Sequence, residues 1–364
     1  MRVAWISYGF PEYSVAHVNW MADQHEVLLM LPLECGKPIQ GQVATRVRYQ
    51  PFHKPRLRQP IQQLFSVRSI LRSIDKFEPD VVHFQQGHLW FSLGLRKLRK
   101  KYPLVLTIHD PRYHSGDTES RRTPQWVTDF GFKQADQLIL HGHALADQVH
   151  KIFGFKRDML HVIPHIDMCE KPDSSNAQPQ EPGNILFFGR IWDYKGLDYL
   201  IEAEPLITAK YPSAKIVIGG TGDDFQRYRA KMVNLDRFEV HNRWISSEDQ
   251  ASMFQRASVV VLPYTDATQS GVVPIAYAYE KPVVATSVGA LPECVEHEKT
   301  GLLVPPRDPT SLAIAVLQLL NNPERAQAMG KAGKRWLDTV ASPKPVVEAT
   351  IRVYEHAIRT KEKT

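Results

Sequence analysis

The sequence predicts an α/β protein with two Rossmann-like domains, and three observations support this class. Short apolar runs alternate with helical patterns through residues 1–168, the alternation stops over residues 169–183, and it resumes at residue 184. Strands that alternate with helices of this length indicate βαβ units and parallel sheets. The chain has 364 residues. At about 150 residues per domain, that length predicts two domains.

The first half predicts a parallel sheet of short apolar strands. We expect strands at residues 3–7, 25–31, 81–84, 104–108, 137–140 and 161–164, with helices around residues 16–24 and 89–101. In open α/β sheets, ligands bind beyond the carboxyl ends of the strands. Residues that directly follow a predicted strand are therefore candidate site residues.

A linker separates this sheet from a second one. Residues 169–183 are rich in Pro, Ser, Asn and Gln and have no apolar periodicity, which is typical of a linker. We expect strands at residues 184–188, 215–218, 238–240, 258–262 and 282–286, and helix starts at Ser246, Asp308-Pro309 and Asn322-Pro323. The predicted organisation is an N-terminal domain (1–168), the linker (169–183), a C-terminal domain (184–342) and a final helix (343–364) that packs back towards the N-terminal domain. Two such sheets that face each other would form a cleft.

Composition excludes several classes of protein. With 43% hydrophobic and 23% charged residues, the chain is typical of globular proteins and unlike disordered or fibrous ones. No segment approaches the ~18–20 apolar residues that a membrane span needs, and MRVAWIS leads straight into a strand. Three scattered cysteines, Cys35, Cys169 and Cys294, predict neither disulfides nor a structural zinc site. We expect a cytoplasmic protein.

The basic excess lies in the first half of the chain. Residues 1–168 contain 22 Lys and Arg against 15 Asp and Glu, and the remainder contains 23 against 24. The excess is concentrated at residues 53–58 and 96–101. This asymmetry indicates either an anionic partner for the first half or two solvated helix faces, and both interpretations stay open.

The most informative segment is Gly189-Arg190-Ile191-Trp192-Asp193-Tyr194-Lys195-Gly196. It directly follows a buried strand and ends where a helix is predicted to begin. Arg190 and Lys195 place two cations at the carboxyl end of a strand, above a helix N-terminus, which indicates a diphosphate site. The alternative is a surface loop with two solvated cations.

A second segment, residues 263–278, also joins a buried strand to an apolar helical stretch. It places Ser270-Gly271-Val272 where backbone amides at a helix start can hold a phosphate. An ordinary strand–helix turn is the alternative. Because this segment lies in the same predicted sheet as Arg190 and Lys195, a shared anion site is favoured.

Other chemistries find less support. Tyr8-Gly9-Phe10-Pro11 follows the first strand in place of a Rossmann GxGxxG, which disfavours NAD binding, and no GxSxG motif is present. His141 and His143 have no carboxylate or cysteine at ligand spacing, so a zinc site is not expected there.

The segments at residues 189–196 and 263–278 resemble those of the family-four retaining glycosyltransferases of GT-B fold (glycosyl transferases group 1). The resemblance also rests on residues 79–83 (PDVVH), 107–110 (TIHD), 219–222 (GGTG), 288–293 (VGALPE) and 300–305 (TGLLVP). It is strong over about residues 184–320 and weaker but continuous over the first half. It implies GT-B architecture, with two Rossmann-like domains facing across a cleft, the N-terminal on the acceptor side and the C-terminal binding the nucleotide sugar.

The resemblance also implies the activity. Family members transfer a hexose from a nucleotide-diphosphate sugar to a saccharide or lipid-linked acceptor, with retention of configuration and no required metal or cofactor. A role in polysaccharide biosynthesis and no nucleic-acid partner are therefore expected. Arg190 and Lys195 correspond to the family's diphosphate clamp, and the amides of Ser270, Gly271 and Val272 would add donors to the same oxygens.

Three further positions follow from the same resemblance. His109 corresponds to the N-domain histidine that faces the donor sugar. Ile245, in Arg243-Trp244-Ile245, lies where the family's chain passes the nucleobase. Gly9, in the first loop, would approach the donor.

One departure concerns the family's Glu-x7-Glu pair. The corresponding positions are Ala267 and Ile275, neither of which is acidic. Asp266 is one residue earlier and is the candidate to hold sugar hydroxyls, whereas nothing replaces the second Glu. Two alternatives therefore remain: a nucleotide-sugar epimerase or hydrolase of GT-B fold, or a non-catalytic nucleotide-sugar-binding scaffold.

The helix at residues 89–101 suggests a location. Its apolar residues lie beside a basic strip of Arg96, Lys97, Arg99, Lys100 and Lys101. This pattern is typical of a helix on an anionic membrane, and it predicts a peripheral contact with the inner membrane face. The alternative is an apolar strip packed on the sheet with solvated cations.

Overall fold

The computed structural model describes residues 1–85, 88–113, 124–168, 178–222 and 224–362. These residues form two compact units. The first comprises the described parts of residues 1–168 together with 342–362, and the second comprises residues 178–341. Residues 169–177 of the expected linker, which include Cys169, lie outside the described residues.

The first unit is built on a parallel sheet of seven strands. They are β1 (Arg2–Ser7), β2 (Glu26–Met30), β3 (Arg48–Tyr49), β4 (Val81–Gln85), β5 (Leu104–Ile108), β6 (Gln137–Leu140) and β7 (Leu160–Val162). Their order in the sheet is β3-β2-β1-β4-β5-β6-β7. Strands β4, β5 and β6 are buried along their whole length, as expected for strands covered on both faces.

Helices cover both faces of this sheet. They are α1 (Pro11–Met21), α2 (Leu33–Gly36), α3 (Pro60–Phe77), α4 (Leu89–Lys101), α5 (Gln125–Phe132), α6 (His143–Phe153) and the C-terminal α14 (Pro343–Lys361). Side chains of β1 alternate between two cores: Trp5 packs with residues of α1 and α14, whereas Ile6 packs with residues of α3 and α4. Helix α14 therefore belongs to the first unit, where its buried Tyr354 is hydrogen-bonded to His83.

The first helix begins earlier than predicted, at Pro11 rather than near residue 16. Proline is favoured at the first position of a helix because its φ is already helical and it lacks an amide hydrogen. The preceding Phe10 adopts a left-handed conformation with φ of 54°. The loop after β1 is consequently short and tight.

The second unit contains a parallel sheet of six strands. They are β8 (Asn184–Phe188), β9 (Lys215–Gly220), β10 (Phe238–Asn242), β11 (Val259–Leu262), β12 (Val283–Thr286) and β13 (Gly301–Val304). Their order in the sheet is β10-β9-β8-β11-β12-β13. Its helices are α7 (Leu197–Thr208), α8 (Phe225–Arg229), α9 (Ser247–Arg256), α10 (Val272–Ala278), α11 (Leu291–Cys294), α12 (Pro309–Leu320) and α13 (Pro323–Trp336). The predicted α/β class is confirmed in both units.

Three predicted helix starts are confirmed by their capping hydrogen bonds. The side chains of Ser246, Asp308 and Asn322 each accept a hydrogen bond from the backbone amide three residues later, at 3.1, 2.9 and 3.0 Å respectively. Within the described chain, no helix is both long and apolar enough to cross a bilayer.

Candidate functional site

The loops after β8 and β9 lie against each other at the carboxyl edge of the second sheet. The Gly189 amide donates to the Gly219 carbonyl at 2.9 Å, and the Ile191 amide donates to the Thr221 carbonyl at 2.7 Å. A Cβ atom on Gly220, whose φ is 149°, would lie only 1.8 Å from the Gly189 oxygen. Gly220 is therefore required for this close approach, and Gly189 has a φ of 114°, which favours glycine.

The two cationic side chains that the sequence predicts for a diphosphate site have aromatic neighbours. The exposed Arg190 guanidinium lies 4.5 Å from the Trp192 ring centroid and makes no ion pair with any residue that the structure describes. The Lys195 ammonium lies 3.8 Å from the Tyr264 ring centroid and 5.0 Å from that of Tyr194. Burial favours the neutral amine, but the two phenol groups outweigh this effect and raise the pKa of Lys195. Lys195 therefore stays charged at neutral pH.

A glycine fixes Lys195 beside the loop after β11. Gly196 has φ of 68°, and a Cβ atom there would lie 1.9 Å from the Pro263 oxygen. The Thr265 amide donates to the Tyr194 carbonyl at 2.8 Å, which ties the same two loops together. These contacts bring the two sequence segments into one site, as the predicted anion site requires.

The start of α10 lies beside the Arg190 loop. A Cβ atom on Gly189 would be 3.7 Å from Cγ2 of Val272. The buried Ser270 hydroxyl accepts a hydrogen bond from the Val272 amide at 3.2 Å and lies 3.4 Å from the Tyr264 hydroxyl. Of the three amides expected to hold phosphate, in residues 270–272, the Val272 amide thus already has an acceptor inside the protein.

Ala267 and Ile275 occupy the positions of the family's two acidic residues, and both side chains lie in apolar surroundings. Ala267 is buried, and its carbonyl would be 1.6 Å from a Cβ atom on Gly289. Ile275 packs against the core of the second unit. The neighbouring Asp266 is exposed, whereas Oε1 of Gln269 is buried with no hydrogen-bond partner among the described residues. Sequence reasoning did not single out Gln269.

The segment expected near the nucleobase follows β10, at the edge of the sheet. Ile245 packs partly against the core, while Trp244 is exposed. The Oδ1 atom of Asn242, the last residue of β10, accepts a hydrogen bond from the Gly222 amide at 2.9 Å. This bond attaches the segment to the glycine-rich turn after β9.

Gly9 and His109 lie in the first unit, in the loops after β1 and β5. The His109 ring is fully buried and stacks under Phe10 at 4.1 Å, and neither ring nitrogen has a partner in the described structure. Unpaired polar atoms are rare in protein cores, so their presence points to a ligand or a functional role. A Cβ atom on Gly9 would have no neighbour within 4 Å.

His109 belongs to a cluster of buried histidines that sequence reasoning missed. Its ring centroid lies 5.1 Å from that of His141 and 6.3 Å from that of His165, and the cluster also includes His17 and His83. Burial is the largest cause that lowers the pKa of each ring, and repulsion between the rings adds to it for His17, His83, His109 and His141. The pKa falls to about 3 for His17, to about 4 for His165, and well below 6.5 for the others. Within the described ranges, no three His, Cys, Asp or Glu side chains are placed to hold a metal ion.

Comparisons with known proteins place the chain in a family. Residues 13–166 match the model of Glycosyltransferase Family 4, and residues 182–322 match that of Glycosyl transferases group 1. Glycogen synthase of Mycobacterium tuberculosis is 28% identical over an alignment of 298 residues that covers 78% of this chain and 70% of that protein. D-inositol 3-phosphate glycosyltransferase of Saccharomonospora viridis is 27% identical over an alignment of 339 residues that covers 85% of this chain and 78% of that protein.

Solved structures agree on the fold. Sucrose-phosphate synthase of Thermosynechococcus elongatus has a TM-score of 0.77 at 19% identity, covering 99% of this chain and 100% of that one. Anabaena HepE in complex with UDP has a TM-score of 0.73 at 15% identity, covering 98% and 100%. The fold is therefore GT-B. The chain belongs to the family-four, group 1 glycosyltransferases and is a glycosyltransferase.

The histidine cluster predicts acid lability. The unfolded chain binds protons on these histidines below about pH 6.5, whereas the native cluster stays neutral to about pH 4. The free energy of unfolding should therefore fall as the pH drops through this window, by up to ~1.4 kcal/mol per pH unit for each histidine. Urea denaturation between pH 7.5 and pH 5 measures the slope. His165→Asn should reduce it, and the exposed His53→Asn should not; a stability that is constant over this range contradicts the prediction.

Proposed function

We propose that this glycosyltransferase moves a hexose from a nucleoside-diphosphate sugar to a saccharide or lipid-linked acceptor, with retention of configuration and without a metal ion. The observation that carries the proposal is the placement of Arg190 and Lys195 at one sheet edge, held by glycine contacts. Anabaena HepE, of the same fold, has been solved with UDP and with UDP-glucose, which supports a donor of this class.

The two cations are suited to a leaving diphosphate. Negative charge grows on the diphosphate as its bond to the sugar breaks, and fixed positive groups stabilise that charge most when they need not reorganise. Arg190 is not neutralised by a carboxylate in the described structure, and Lys195 is held over Tyr264. We assign them the charge neutralisation that a metal ion supplies in other transferases.

The amides at the start of α10 are proposed to donate to the same phosphate oxygens. The Ser270 hydroxyl lies 3.4 Å from that of Tyr264, and the Val272 side chain lies beside Gly189 of the Arg190 loop. The Val272 amide would exchange the Ser270 hydroxyl for a phosphate oxygen. Ile245 is proposed to lie near the nucleobase.

His109 is proposed to contact the transferred sugar. Its lowered pKa keeps the ring neutral at physiological pH, so one nitrogen can donate and the other can accept a hydrogen bond with sugar hydroxyls. Phe10 covers the ring, so contact with a sugar requires Phe10 to move aside. The adjacent Gly9 has open space on its side-chain position, which leaves room for the donor.

The clamp assignment predicts a large kinetic effect. Arg190→Ala or Lys195→Ala should lower turnover by roughly 10²–10³, the loss expected for one electrostatic stabiliser. Lys331→Ala removes an exposed cation of the same unit and is the matched control. Initial rates with a nucleotide-sugar donor, together with thermal denaturation to verify folding, measure the effect. Wild-type rates in either folded clamp variant would refute the assignment.

Asp266 is proposed to hold a hydroxyl of the donor sugar in place of the missing Glu. Asp266→Asn should lower the rate and the selectivity between donor sugars while leaving the affinity for free nucleoside diphosphate unchanged. Glu248→Gln, an exposed carboxylate on α9, is the control. Calorimetric titration with the diphosphate and with the sugar nucleotide separates the two effects, and an equal loss for both ligands would assign Asp266 a structural role.

A panel of nucleotide sugars tests the activity as a whole. Thermal shift identifies the donor, because a ligand at 100 times its dissociation constant stabilises the native state by about 2.7 kcal/mol. Product analysis with saccharide acceptors follows, and NMR of the new anomeric centre reports the configuration. Release of free sugar or an epimer without acceptor would indicate a hydrolase or epimerase instead. Donor binding without any turnover would indicate a scaffold.

A further inference from the structure

Helix α3 exposes large apolar side chains to solvent. Ile61, Leu64 and Phe65, in its first two turns, have exposed fractions of 68%, 46% and 65%. The opposite side of the helix, with Val67 and Ile70, packs in the core of the first unit. Contiguous exposed apolar side chains of this size mark interaction sites in soluble proteins.

Cations continue the same exposed side of α3 and extend onto α4. They are Arg68, Arg72 and Lys76 on α3, with Arg96, Lys97 and Lys100 on α4. None of these six cations forms an ion pair with a residue that the structure describes. By contrast, Arg99 and Lys101 of the predicted basic strip are paired with Asp136 and Asp75, both at 2.9 Å.

The apolar strip predicted on α4 is buried rather than exposed. Phe91, Leu95 and Leu98 are buried in the core of the first unit, and on this helix only Leu93, 57% exposed, is a large apolar side chain in solvent. The expectation that α4 itself presents an apolar strip to a membrane is therefore wrong. The exposed apolar side chains beside the basic residues of α4 belong mainly to α3 instead.

The exposed sides of the two helices form one surface. A Cβ atom on Gly94 of α4 would lie 3.4 Å from Val67 and 3.5 Å from Leu71 of α3, so the helices pack closely there. The Trp90 indole donates to the Leu57 carbonyl at 3.3 Å, which attaches α4 to the loop before α3. We call this surface, Ile61, Leu64, Phe65 and Leu93 with the six cations, the α3–α4 face.

We propose that the α3–α4 face docks on an anionic lipid bilayer. Apolar side chains beside unpaired cations match the acyl boundary and the anionic headgroups of such a surface. A second copy of this chain fits poorly, because a symmetric contact would bring the same cations against each other. The proposal is independent of the donor and the acceptor, so it can fail while the transferase activity stands.

Vesicle sedimentation with the full chain tests the proposal. The protein should bind vesicles of phosphatidylglycerol and phosphatidylcholine at low salt, bind much less at high salt, and not bind phosphatidylcholine alone. Each surface cation near an anionic membrane contributes roughly fivefold to binding. Arg68→Gln/Arg72→Gln/Lys97→Gln should therefore weaken binding by about 100-fold.

A charge-matched control lies on the opposite side of the sheet. Lys344→Gln/Arg352→Gln/Arg359→Gln removes three exposed cations of α14 and should leave binding nearly unchanged. Phe65→Ser should weaken binding at both salt concentrations, whereas Trp20→Ser on α1 should not. Circular dichroism verifies folding of every variant.

Three outcomes would overturn the proposal. One is the absence of binding to anionic vesicles at low salt. Another is an equal loss of binding in the two charge triples. The third is a dimer in light scattering that Phe65→Ser dissociates, which would make the α3–α4 face a contact between copies of this chain.

Discussion

The candidate site of the second unit depends on how closely three loops approach one another. A Cβ atom would lie 1.8 Å from a backbone oxygen at Gly220 and 1.9 Å from one at Gly196, so no side chain fits at either position. The first contact places the Arg190 loop against the turn after β9. The second holds Lys195 over Tyr264. The arrangement of charge at this sheet edge is thus a consequence of glycine positions.

Aromatic rather than acidic neighbours hold these cations. A carboxylate beside Lys195 would neutralise the ammonium and compete with any incoming phosphate. The face of Tyr264 attracts a cation without carrying a negative charge, so the positive potential stays available to an anion. Arg190 lies over Trp192 in the same manner. The two cations of the proposed diphosphate site are therefore held in place before any ligand binds, which is the condition under which fixed cations are most effective.

Local patterns predicted the parts of the structure that depend on local sequence. The apolar runs of β8 and β11 and the capping side chain of Asp308 are short-range signals, and each is confirmed. The histidine cluster is not such a signal. His109 and His141 follow different strands, and only the pairing of β5 with β6 brings their rings to 5.1 Å. The spacing of residues in the sequence therefore did not predict a neighbour for His141. The stacking of Phe10 on His109 could not be predicted from the sequence either.

The basic first half illustrates a different limit of sequence reasoning. A helix with one apolar and one cationic side has the same pattern whether the apolar side meets a sheet or a lipid surface. In α4 the apolar side meets the sheet, as the burial of Leu95 shows. In α3 one side of the helix packs in the core, but Phe65 stays exposed to solvent. The apolar residues of α3 occupy more of the helix circumference than the core covers. The proposed docking surface rests on two observations that the sequence pattern does not contain. They are apolar surface beyond what packing uses and cations that have no acidic partner in the described structure.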